Sequence, residues 1–125
     1  AMLKRDFLLA QINKFSETIA NAIFALGKQN IALAENIVQQ NFDGALLDDF
    51  DASGLLPDDK PEYEKLLFQL ELLYVRIRIN YANNQLANEL TEKYLRIAKL
   101  LQTRQTDFNL TLQQRIAEAT AMANH

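Results

Sequence analysis

Every helix-breaking residue of this chain lies in one stretch: Gly27, Gly44, Gly54, Pro57 and Pro61, with none before it and none from Glu62 to the end at residue 125. Inside a helix, glycine costs about 1 kcal/mol and proline about 3 kcal/mol relative to alanine. Long flanks free of both therefore predict an all-α fold with a single irregular interruption.

Apolar spacing places the helices. From 6 to 26, Leu8, Ile12, Phe15, Ile19, Ala22 or Ile23, and Leu26 step by three and four, which makes one core-facing stripe. Gly27-Lys28-Gln29-Asn30 reads as a helix-ending turn in which Gly27 takes the left-handed conformation. Ile31, Ala34, Ile37 and Val38 resume the period over 31–41, and so short a link makes an antiparallel hairpin. The segment 60–83 carries two stripes, Leu66, Leu70, Leu73, Ile77 and Tyr81 on one side and Phe68, Leu72, Val75 and Ile79 on the other. It is predicted to be central, packed on two sides. Val75 to Tyr81 also alternates as a strand would, but no second segment reads as its partner, so helix is the reading. After Asn83-Asn84-Gln85, the residues Leu86, Leu90, Tyr94, Ile97 and Leu101 form a fourth helix over 85–105. A short fifth, 111–122, is capped by Thr111 with Gln114. The expected fold is thus about five helices, two antiparallel hairpins joined by an acidic segment, in one domain over 2–125. Ala1 before Met2 reads as a cloning remnant.

The acidic segment, 42–59, lacks a sustained period but holds Leu46, Leu47, Phe50, Leu55 and Leu56. These five predict an ordered loop, with room for a helical turn, laid onto the core. Asp59, Pro61 and Glu62 supply an N-cap, a first-turn proline and a capping-box acid for the helix that follows.

Charge and composition then narrow the function classes. Asp43, Asp48, Asp49, Asp51, Asp58, Asp59 and Glu62 face only Lys60 between 43 and 62, in a chain of net charge −3. No chain-wide basic field exists of the kind that nonspecific nucleic-acid binding uses, so nucleic acid is disfavoured as a partner. Cysteine is absent, which removes disulfides, thiolate metal sites and a cysteine nucleophile. The one histidine is His125, and no Gly-rich phosphate loop or convergent carboxylate pair is present. No enzymatic activity, cofactor, small-molecule substrate or membrane span is inferred, and the expected compartment is the cytoplasm.

Three constellations stand out. Asp49-Phe50-Asp51-Ala52-Ser53-Gly54 matches the first half of an EF-hand calcium loop, with Asp49, Asp51 and Ser53 as candidate ligands. The bidentate glutamate that closes such a loop is replaced by Lys60, so helix capping is the better reading of these acids. Cation binding through 43–59 stands as the alternative function. Arg76 and Arg78, with Lys93, Arg96 and Lys99, form a candidate basic interaction surface, and Arg78 calls for an acidic partner, Glu71 or a loop aspartate. Tyr63, Tyr74, Tyr81 and Tyr94 read as core residues whose hydroxyls reach the surface.

Two hairpins of matching length, at 8–41 and 68–101, resemble the tetratricopeptide repeat. With Tyr74 at the first aromatic position of that motif, Ile77, Tyr81, Leu90, Tyr94 and Ile97 fall at its other buried positions. Arg78, Leu90 and Ile97 stand where the family has small residues, and Gln102 where it has a closing proline. The opening Met2-Leu3-Lys4-Arg5-Asp6-Phe7-Leu8-Leu9 and the 27–30 turn are similar to a group of uncharacterised bacterial helical proteins related to that repeat. The resemblance implies a helical-hairpin scaffold, expected to bury an apolar surface against another protein or a second copy of the chain. Two hairpins are few for a repeat array, and the surface expected to be exposed is the 6–26 helix or the face of the 60–83 helix that the 85–105 helix leaves uncovered.

Overall fold

The computed structural model describes residues 4–85, 88–104 and 110–123, all of its regular structure being helical. Six helices are present among the described residues: α1 (Lys4–Gly27), α2 (Ile31–Asn41), α3 (Gly44–Ser53), α4 (Lys60–Ala82), α5 (Asn88–Arg104) and α6 (Leu110–Ala123). Five correspond to the predicted ones. The sixth, α3, corrects the expected loop. Leu86, Gln105 and the side chains of Leu8 and Thr111, which figure in the predicted stripes and cap, lie outside the described residues.

α3 forms because its ends are well terminated. Asp43 accepts a bond from the Ala45 N–H at 3.2 Å, and Gly54 closes the helix at φ 66, a left-handed value that glycine adopts without steric cost. Between them Leu47 and Phe50 are buried, and Leu46 packs beside them. Leu56 also reaches the core, but Leu55 is 72% exposed. The anchoring therefore uses four of the five apolar residues assigned to it.

α4 runs through the centre and touches each of the other five helices. One of its sides, with Phe68, Leu72, Val75 and Ile79, packs on Ala22, Ala25, Leu26, Ala34 and Val38 of the α1–α2 hairpin. Leu66, Leu70, Leu73, Tyr74 and Ile77 pack on α3, α5 and α6. The strand-like alternation from Val75 to Ile79 is thus two-sided helix burial. Val75 and Ile79 are one helical turn apart on one side, while Tyr74 and Ile77 lie on the other. Tyr81 departs from its predicted stripe and is 46% exposed. Residues buried on this scale contribute roughly 2 kcal/mol each by apolar transfer.

The turn at 27–30 is built differently from the expectation. Gly27 remains helical and Gln29 carries the positive φ of 61. The Asn30 N–H reaches the Ala25 carbonyl at 2.8 Å and the Gln29 N–H reaches Leu26 at 3.0 Å, a Schellman closure with glutamine in the usual glycine position. Asn84, with φ 57, closes α4 in the same way.

Candidate functional site

Phe15 of α1 stacks on Phe68 of α4, with centroids 4.3 Å apart and planes inclined by 13°. On one side of this stack α1 diverges from α6, and those two helices do not touch among the described residues. The result is an apolar groove of about 580 Å³, with α4 as floor and α1 and α6 as walls. Ile12, Ile19 and Ile23 line the α1 wall, Leu67 and Leu70 the floor, and Leu112 the α6 wall. Phe24, at one end, is 67% exposed. A smaller cleft of about 540 Å³ lies on the other side of the same stack, near Lys14, Thr18 and Asn41.

Glu64, Glu71 and Arg115 are the charged residues of the groove. Arg115 donates Nε–H to Glu71 at 3.2 Å, with both side chains largely buried. Burial pushes the Glu71 carboxyl above its usual range, and the Arg115 guanidinium only partly opposes this. Arg115 also lies over the Tyr74 ring, 4.8 Å from its centroid, and the Tyr74 hydroxyl donates to Glu118. This seam ties α6 to α4 by polar contacts alongside the apolar ones from Leu112 and Ala119. Tyr94, fully buried and 6.0 Å from Tyr74 ring to ring, has no hydrogen-bond partner for its hydroxyl among the described residues. Burial raises its pKa, Glu71 adds to the effect and Arg115 opposes it, so this phenol stays protonated at neutral pH. The Tyr63 hydroxyl is likewise buried and unpartnered. Neither residue has the surface-reaching hydroxyl expected of it.

The candidate basic surface does not assemble as one patch. Lys93 is bonded to Asp48, and Arg96 grips Asp51 with two bonds of 2.8 and 2.7 Å, so this pair faces α3. The guanidinium bonds hold the Asp51 carboxyl below its usual range. Arg78 lies 5.8 Å from the Tyr74 ring centroid, and no carboxylate is within ion-pair distance of it among the described residues. Its expected partner Glu71 is taken by Arg115. Arg76 is half-buried on α4, and Lys99 is exposed on α5.

Asp49, Asp51 and Ser53 do not converge. They lie on α3, where successive residues turn by about 100°, so Asp51 projects nearly opposite to Asp49 and Ser53. Ser53 accepts from the Leu55 N–H at 3.2 Å, as part of the helix end. No group of three or more metal-ligating side chains is placed to hold an ion among the described residues. Nor is any helix among them long and apolar enough to cross a membrane.

The groove itself escaped the sequence reading. Its signal was Phe24, a large aromatic off the α1 core stripe, in the row Ile12, Ser16, Ala20, Phe24. Comparison of the chain with protein-family models, with curated proteins and with solved structures gives no significant match.

Proposed function

We propose that this chain is a non-enzymatic helical-hairpin scaffold, tetratricopeptide-like in plan, that works by burying the α1–α6 groove against another protein. The observation that carries the reading is the groove itself: an apolar slot between two helices, edged by an exposed phenylalanine. Slots of this kind take an amphipathic helix whose apolar face replaces water along the floor. The flanking polar seam suits such a role, because Glu71, Arg115, Tyr74 and Glu118 are engaged with one another and hold the α6 wall in place.

Photocrosslinking tests this. A benzophenone side chain in place of Phe24, which lines the groove and is exposed, is expected to give a discrete protein adduct in the cell that makes the chain. The same group at Glu92, exposed on α5, is the control and gives none. Absence of any adduct from position 24 counts against the scaffold.

A further inference from the structure

We propose that the occupant of the groove is a second copy of this chain, docked about a two-fold axis that runs perpendicular to α1 and passes beside it, at the level between Ser16 and Ala20. This rests on the scaffold reading and names its partner.

Phe15 stacks on Phe68, and Glu71 and Tyr74 meet Arg115 and Glu118 in the same order, so α4 and α6 run in one direction beside α1. The groove accordingly has two different ends. One carries Ile12 and Glu64, and the other carries Phe24, some 18 Å away at 1.5 Å per helical residue, roughly. Lys28 sits one turn beyond, its ammonium 5.5 Å from the Phe24 ring centroid.

An axis perpendicular to α1 exchanges these ends. Phe24 of each copy then meets Ile12 of the other, and Ser16 meets Ala20. The row is self-complementary in size: the exposed Phe24 of one copy meets the smaller Ile12 of the other, and the small residues at the axis let the two α1 helices approach closely. An isologous contact needs both halves of such a fit on one surface. Charge agrees with shape. The exchange brings Lys28 to the level of Glu64, a carboxylate without an ion-pair partner among the described residues. A parallel arrangement would set Lys28 against Lys28 and Glu64 against Glu64.

Sedimentation equilibrium on the intact chain provides the test. The wild type is expected to dimerise. Phe24→Asp, at a site exposed enough to leave folding intact by circular dichroism, should weaken the dimer by roughly tenfold or more. Lys28→Glu and Glu64→Lys should each weaken it, and the two together should restore it. A wild-type monomer at the highest concentration reached overturns the proposal, as does a dimer indifferent to Phe24→Asp or a charge exchange that fails to restore association. The benzophenone at position 24 separates the two levels. An adduct with a different protein keeps the scaffold and overturns the dimer, whereas no adduct removes both.

Discussion

Gln69, buried in α4, donates its side-chain N–H to the Asn41 carbonyl at 3.0 Å while its Oε1 accepts from the backbone N–H of Asp43 at 2.6 Å. One amide thereby satisfies the chain leaving α2 and entering α3, across a sequence separation of 28 residues to Asn41. It holds the α2–α3 link against α4, and through it the placement of Leu47 and Phe50 in the core.

Replacing Gln69 by leucine keeps the volume and leaves both backbone groups without that partner. The expected loss is about 2 kcal/mol, the cost of two partly buried groups left unpaired. Urea unfolding reads it as a lower midpoint at unchanged slope. A loss below about 0.5 kcal/mol would show that water replaces the amide freely.

How far such features can be read in the sequence depends on their range. The two-sided burial of α4 was legible because Phe68, Leu72, Val75 and Ile79, and Leu66, Leu70, Leu73 and Ile77, are each local patterns at helical spacing. The start of α4 was legible for the same reason, and the structure puts Asp59 at its N-cap with proline in the first turn. α3 was missed because glycine and three aspartates lower its helix propensity, and tertiary anchoring of Leu47 and Phe50 overrides that. Gln69 gave no signal at all, since a polar residue between Phe68 and Leu70 acquires meaning only when Asn41 and Asp43 are brought to it. The groove left only the trace of Phe24 off the α1 stripe: that α1 and α6 stand apart on α4 is a fact of helix packing, which no stripe on either helix encodes.

Glu71 makes stability depend on pH in a stated direction. Its folded pKa lies above the model-peptide value of 4.5, because burial outweighs the help of Arg115 and nearby Glu118 opposes ionisation. The folded state then holds the proton more tightly than the unfolded one, so the Glu71 contribution improves as pH falls from neutral toward that value. Glu71→Gln abolishes this slope. Thermal melts at about pH 7 and about pH 5 should show the wild type gaining on the variant at the lower pH. A difference that moves the other way would mean that pairing with Arg115 outweighs burial.

Tyr74 and Tyr94 should respond oppositely to loss of their hydroxyls. In Tyr94→Phe a buried O–H without a partner among the described residues is removed, and stability is expected to hold or to rise by about 1 kcal/mol. Tyr74→Phe breaks the bond to Glu118 and should cost about 1 kcal/mol. Chemical denaturation of the two variants side by side checks the pair. Equal losses would indicate that the Tyr94 hydroxyl is satisfied in solution.

The turn between α1 and α2 offers a prediction that the sequence alone would have reversed. Gly27 is helical, and a Cβ added there meets nothing within 4 Å, so Gly27→Ala should stabilise by about 0.5–1 kcal/mol by removing backbone freedom from the unfolded chain. Gln29, at φ 61, pays the steric cost of the left-handed region, and Gln29→Gly should relieve about 1 kcal/mol of it. Were Gly27 the left-handed residue, Gly27→Ala would instead destabilise by more than that amount, because alanine is strained at positive φ. Melting temperatures of the two single variants therefore decide which residue closes α1: both should rise, and a fall for Gly27→Ala would return the role to the glycine.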